Sequence, residues 1–436
     1  MKKRILSGLL VLLMAAFPLY LSGCGKDETK AVYLSVGSKT QSGFFEEAAK
    51  LYREETGKSV EIKNEEIKTN KETAIFVIES NAEYEKIKND CYDLSASKIN
   101  SYLIDKRLAK RGDGDNKVFA VPYEITGYGI IYNKALTDKF FEKNKDSERL
   151  VSMDEVRDFK SLKDLAEEID KQKSELGIET VFASPSLKAE DAYEWHSEML
   201  NAPFYYEFSA NDDYTDPDDA FYNSKEIDFR YDKEYKDTLD LIIGKTTDKK
   251  LFETKSSDAS ITEFAEGKSA MLLGSDKIYE ILSKKIGNKI SSKDLRFLPL
   301  YTDISGNNDQ GITVKRERYI ALNKNADKEA RDSALEFIDW LFSSKNGKKF
   351  VSGNMGILTP FDTFKDDELP DNPLMKETKR YLEDKTVENV LWVITEPVKE
   401  VTKSGVSLAA NAYIAGEKAF DDLKAGIKDL MKKDNR

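Results

Sequence analysis

One histidine, His196, and two cysteines, Cys24 and Cys91, are all that 436 residues hold of two residue types that commonly bind transition metals. So few exclude a His-cluster metal site and leave a histidine-based triad a single base to choose from. Cationic surplus is lacking as well. Eighty Asp and Glu stand against 68 Lys and Arg, a net charge of −12, so no overall basic surface offers itself to phosphate backbones and nucleic acid is not an expected partner. Also missing are the dinucleotide glycine fingerprint, the nucleophile elbow, paired-cysteine metal spacing, short-period repeats and low-complexity tracts. What is present is a globular balance, 40% hydrophobic and 34% charged, over a length sufficient for two domains.

The one long hydrophobic run stands at the start. Lys2, Lys3 and Arg4 precede an apolar stretch from Ile5 to Tyr20, too short and too quickly broken for a spanning helix and built like a secretory signal. It ends in Leu21-Ser22-Gly23-Cys24, which resembles a bacterial lipobox. Residues 1–23 are then a leader, Cys24 the diacylated first residue of the mature chain, and residues 24–30 a polar tether. Two acyl chains at about 0.8 kcal/mol per buried methylene hold a protein stably on a membrane; a plain signal with a chance cysteine is the alternative. Cys91 alone cannot close an intrachain disulfide and reads as a small buried hydrophobe.

The stretch Phe119–Lys134, FAVPYEITGYGIIYNK, organises the rest. Pro122 fixes φ and Gly127 and Gly129 permit a close turn between two apolar runs, so the chain passes from one body to another. Pockets form preferentially between domains, which makes Tyr123, Glu124, Thr126 and Tyr128 pocket candidates; a buried strand pair with a turn is the other reading.

Ala31–Val36 is strand-like, Gly37–Ser42 a loop, and Phe45, Ala48, Ala49 and Tyr52 recur at helical spacing before a second strand near Val60. Such strand-helix-strand units imply a mainly parallel sheet with ligand at its loop edge. Ser95, Ser97 and Lys98 could reach a ligand or start the predicted helix Ile99–Leu108. Met153–Gly177 predicts a long amphipathic helix, Glu179–Ser184 a strand, and Ala189–Leu200 a helix carrying Tyr193 and Trp195, which fit a core as well as a site. Tyr205–Tyr235, dense in Asp, lacks the calcium-loop pattern and reads as a solvated surface hairpin. Gly267-Lys268-Ser269 is no phosphate loop: Thr262 stands where its first glycine belongs, and the helix precedes the strand. Strands return over Leu295–Leu322, a helix over Glu329–Phe342, and the C-terminal stretch is helical.

Several runs together look like the extracellular solute-binding proteins of ABC transporters, most closely the carbohydrate branch that includes maltose-binding protein: the lipobox Leu21–Cys24, the opening Leu34–Val60, the run Val121–Lys134, FAEGKSAMLLGS at Phe264–Ser275, ALEFIDWL at Ala334–Leu341 and GILTP at Gly356–Pro360. The resemblance implies an α/β two-lobe fold with mainly parallel sheets, crossing segments and ligand in the cleft. Lobe 1 would take residues 31–124 and 315–375, lobe 2 residues 125–314 and 376–436. Carried over by position, Glu124 matches a sugar-binding carboxylate, Tyr193 and Trp195 an aromatic-bearing helix of the second lobe, Lys39 and Thr40 the loop after the first strand. Ser275 and Asp276 fall where the family often places a stacking tryptophan. Losing that platform weakens a maltodextrin-like assignment, and Trp392 or Tyr301 is the substitute left to place.

The expected function is that of a non-catalytic, extracytoplasmic, membrane-anchored binding protein, monomeric and without cofactor or metal, that captures a sugar or oligosaccharide for an ABC permease. A surface lipoprotein glycosidase using two carboxylates, or a ligand sensor on the same fold, are the rivals.

Overall fold

Two strands far longer than the rest set the architecture. In the computed structural model, which describes residues 32–36, 39–112, 116–145, 151–211, 214–246, 255–304, 309–394 and 398–433, strand β5 runs unbroken over Val118–Asn133 and β9 over Gln310–Leu322. At about 3.3 Å per residue β5 spans roughly 50 Å, more than one small lobe needs. The other strands are β1 (Val32–Val36), β2 (Val60–Lys63), β3 (Thr73–Ile78), β4 (Lys110–Arg111), β6 (Thr180–Phe182), β7 (Ser269–Ser275), β8 (Leu295–Leu298) and β10 (Glu388–Leu391). They join in the order β2-β1-β3-β9-β5-β7-β6, with β10 on β9 and β4 and β8 on β5.

Pairing along the two long strands divides the molecule into two lobes. The C-terminal half of β9 pairs with β3 (Val77 opposite Ile320), while its N-terminal half pairs with β10 (Val390 opposite Thr313). The C-terminal half of β5, Ile130–Tyr132, is held by β7 on one side and β8 on the other. Between these ends β5 and β9 pair with each other, Val121 opposite Ile320 through to Tyr128 opposite Thr313. One antiparallel ribbon thus serves both lobes.

Each lobe has the helices its pattern calls for. Strands β1, β2 and β3 are parallel, and all six side chains of β3 are buried, as a strand covered on both faces requires. Phe45, Ala48, Ala49 and Tyr52 form one buried stripe on helix Lys39–Thr56, and the Tyr52 ring lies 5.3 Å from both Phe337 and Trp340 of helix Lys328–Ser343. In the second lobe helix Ala189–Ser209 seats helix Pro217–Asn223 through Phe204 stacked on Phe221 at 5.8 Å. Burying side chains of this size contributes roughly 1.5–3 kcal/mol each.

Five expectations are corrected. Phe119–Lys134 contains no turn: Gly127 and Gly129 lie inside β5, where a Cβ would come within 2.2 Å of Thr378 Oγ1 and 2.7 Å of the Leu298 carbonyl oxygen respectively. They are small because neighbours press close. The first helix begins at Lys39, taking in part of the expected loop; Gly37 and Ser38 lie outside the described residues, as do the leader and Cys24. Helix Ile99–Leu108 is in fact two short pieces, Lys98–Ser101 and Lys106–Leu108. The long helix over Met153–Gly177 is likewise broken, into Met153–Glu155, Phe159–Lys171 and Lys173–Leu176, because Asp158 caps a fresh start with Ser161 in a capping box. The Asp-rich segment is no solvated hairpin: it holds helix Pro217–Asn223, with Asp216, Asp218 and Asp219 all buried.

Candidate functional site

The ribbon forms the floor of a cleft. Three hollows of about 450, 470 and 90 Å³ open beside it. The first two share Tyr128, Glu194 and Lys315, and the third joins them through Lys315 and Trp392. Both lobes contribute walls. Glu79, Ser80 and Asn81, which follow β3, reach the smallest hollow, and helix Ala189–Ser209 lines the two larger ones.

Flat apolar faces and polar groups alternate here. Tyr128 on β5 and Trp392, just after β10, lie with ring centroids 4.9 Å apart at 35°. The Trp392 indole is held by its N–H donating to the Ile394 carbonyl at 2.8 Å. Lys315 Nζ stands 5.7 Å over the same indole ring, within reach of a cation–π contact. Beside them Glu317 accepts from Thr126 Oγ1 at 2.6 Å and Lys277 Nζ at 3.3 Å. Burial opposes its charge, but Lys315 and Lys277 prevail and hold its carboxyl below the usual range.

Of the residues singled out from sequence, the structure brings Tyr128, Tyr193, Trp195 and Ser275 together at the cleft. Ser275 stands directly opposite Tyr128 in the β5–β7 register. Glu124 lies behind this surface, 3% exposed, paired with Lys277 at 3.2 Å and with Arg318. Tyr123 points into the first lobe, its hydroxyl donating to Gln41 at 3.1 Å and its ring against Phe45 and Phe342. Ser97 caps helix Lys98–Ser101, and exposed Ser95 bonds Asp93. Lys39 and Thr40 are exposed in the first turn of their helix. None of these six lines the three hollows.

Asp276 is a fastening of the crossing. Fully buried, it accepts from the Gly127 N–H at 2.8 Å and from Thr378 Oγ1 at 3.0 Å. Burial pushes its carboxyl up to about 7 against these two bonds. Of the two aromatics left unplaced, Trp392 lines the cleft while Tyr301 is 6% exposed outside the three hollows.

Sequence reasoning missed Glu198. It lines the 450 Å³ hollow from helix Ala189–Ser209 yet is only 9% exposed, and its Oε2 has no hydrogen-bond partner among the described residues. Burial first, and Glu194 one turn earlier second, push its carboxyl well above the usual range. The i, i+4 spacing of Glu194 and Glu198 beside Trp195 was the available signal.

A second ionic feature stands beside the smallest hollow, which its Asp218 and Arg316 help to line. Lys110 of β4, wholly buried, reaches Asp218 at 2.7 Å and Asp219 at 2.6 Å, while Arg316 of β9 holds Asp216 through two bonds at 2.8 and 2.9 Å. Burial and the neighbouring carboxylates push Asp218 up to about 8, against the pull of Arg316 and Lys110. The three carboxylates lie close enough to hold a metal ion, but Lys110 and Arg316 already occupy their oxygens, so the group is an ion-pair network.

Comparison with known proteins bears on the family and the fold. The family model for bacterial extracellular solute-binding proteins matches residues 53–377. No curated protein matches the sequence. Among solved structures, a family 1 extracellular solute-binding protein from Bifidobacterium longum subsp. infantis is similar at TM-score 0.63 and 15% identity, covering 92% of this chain and 97% of that one. A probable secreted solute-binding lipoprotein from Streptomyces coelicolor gives 0.63 at 16%, covering 93% and 98%. The bacterial solute receptor AcbH, whose exclusive preference is for β-D-galactopyranose, gives 0.67 at 11%, covering 93% and 99%. At these identities the likeness is one of fold, two lobes around a cleft. With the family model spanning most of its length, the chain belongs to the bacterial extracellular solute-binding proteins.

Proposed function

We propose that the cleft captures a sugar or oligosaccharide and that the protein delivers it, unaltered, to an ABC permease. The Tyr128–Trp392 pair carries this reading: two aromatic faces opening on a cleft that also presents Lys315, Glu194 and Ser275. Sugar rings offer C–H faces to aromatics and hydroxyls to such polar groups. AcbH, of the same fold, takes a pyranose. A ligand bridging both walls favours a closed arrangement of the lobes only by its preference for that form, and the lobe boundaries near residues 124, 315 and 375 are where bending would fall.

The anchoring reading belongs here too. Cys24 in Leu21-Ser22-Gly23-Cys24 would carry the acyl chains that keep a monomeric body at the outer face of the membrane, and the S. coelicolor protein of the same fold is itself called a lipoprotein. Metabolic labelling with palmitate checks this: label is expected in the wild type and absent from Cys24→Ala, and label retained in the variant would contradict it.

Thermal melting against galactose, maltotriose, raffinose and xylo- and chito-oligosaccharides tests the main reading. A binder at a hundred times its Kd adds about 2.7 kcal/mol of stability, so a clear upward shift is expected with at least one. A shift with peptides alone, or new reducing ends from an oligosaccharide, would overturn it.

A further inference from the structure

In the 450 Å³ hollow carboxyls outnumber cations. Asp191, Glu194, Glu198 and Glu317 line it together with Lys277 and Lys315, and both lysines are already engaged by Glu317 at 3.3 and 3.5 Å, Lys277 by Glu124 as well. Asp191 is satisfied by Ser186 Oγ and the Ser257 N–H, each at 3.0 Å. That leaves Glu194 and Glu198 facing the hollow, with no cationic partner for either among the described residues.

Glu198 is the informative one. A carboxyl nine-tenths buried is ordinarily paired, yet its Oε2 touches no donor. The groups facing this hollow from the surrounding elements are Tyr128 of β5, Lys315 and Glu317 of β9 and Lys277 after β7, with Asp191 and Glu194 on its own helix; Lys403 of the packed helix Glu400–Ile414 pairs with Glu400 at 3.2 Å. The rings of Trp195 and Tyr128 also line the hollow, and aromatic faces attract cations. An overall charge of −12 adds a field that draws cations in.

We propose that this hollow selects a sugar bearing a protonated amine, with Glu198 and Glu194 as the residues that receive the ammonium group. The inference rests on the sugar-binding reading and narrows it to amino sugars. Unliganded, burial first and Glu194 second raise the Glu198 carboxyl well above its usual range and so favour its protonated form. An arriving ammonium stabilises the carboxylate, so Glu198 passes its proton to solvent as the ion pair forms. A neutral sugar brings no charge to offset and releases no proton.

The test compares glucosamine oligosaccharides with their N-acetylated counterparts, which differ in the amine charge while keeping the ring. Calorimetry at pH 6.5 in two buffers of different ionisation enthalpy reads both affinity and proton release. Wild-type protein is expected to bind the free-amine series at least tenfold more tightly and to show a proton exchange on binding that the N-acetylated series lacks. In Glu198→Gln, which keeps shape and removes the titrating group, the preference and the proton release should both disappear. Equal affinity for the two series, or tighter binding of the N-acetylated one, overturns the proposal while leaving sugar capture standing. Failure of every sugar, charged or neutral, to bind overturns the sugar reading itself. The wild-type comparison alone decides if the variant fails to fold.

Discussion

Two sets of buried carboxyls flank the same ribbon and are treated in opposite ways. In one, Asp216, Asp218 and Asp219 are met by Lys110 and Arg316 at hydrogen-bond distance; in the other, Glu198 Oε2 has no hydrogen-bond partner among the described residues. Burial penalises charge in both places. The first set is compensated, and because Lys110 comes from β4 beside the first-lobe end of β5 while the aspartates come from a helix of the second lobe, it ties the lobes together. The second set is uncompensated and lines a cleft, the signature of a place waiting for a ligand. Stability and function draw on differently treated carboxyls beside one ribbon.

The comparison breaks most visibly at Lys110. Lys110→Met leaves three buried carboxyls facing one guanidinium, and removing one member of such a network costs about 3–5 kcal/mol, to be read by urea unfolding. A loss under about 1 kcal/mol would mean the cluster is hydrated and the contrast false. Gly127→Ala comes next, at roughly 1–3 kcal/mol for forcing a methyl into Thr378 and the Asp276 bond.

Asp276→Asn sharpens the contrast through pH. The folded chain holds the Asp276 carboxyl at about 7 against an ordinary 3.8, so it keeps a proton that the unfolded chain has already released. Its stabilising contribution is complete below about pH 4 and is lost as pH rises through 7. Asparagine keeps the acceptor for Gly127 and cannot ionise, so the variant should gain on the wild type by roughly 2–3 kcal/mol between pH 5 and pH 8; parallel stability curves would contradict this. The smallest effect on the fold is expected at Trp392. Trp392→Ala should leave unfolding nearly unchanged while raising the sugar Kd about tenfold, in line with roughly 1.4 kcal/mol from an aromatic platform. Unchanged affinity would remove the platform from the site.

Much of the scaffold was legible, and the failures have definite causes. The apolar run around Ile130–Tyr132 announced a crossing strand, but Gly127 and Gly129 mimicked a turn because sequence does not tell a glycine needed for φ from one needed for space. The aspartates of residues 216–219 passed as solvated because their cations, Arg316 and Lys110, lie 100 and 108 residues away in the chain. Tyr128, Tyr193, Trp195 and Ser275 reached the cleft since strand register and helix placement carry them there. Tyr123 and Glu124, neighbours of Tyr128 on the same strand, do not, because they fall where β5 lies within the first lobe and its ion pairs. Glu198 needed knowledge of which helix face meets the hollow, and Trp392 knowledge that β10 ends beside Tyr128.

The most direct measurement is amide hydrogen exchange of the intact protein with and without a saturating concentration of the tightest-binding sugar of the melting panel. Slower exchange should appear at Tyr128, along Tyr193–Glu198 and around Trp392, on both sides of the ribbon at once. Saturable binding with protection confined to any other surface would contradict the account.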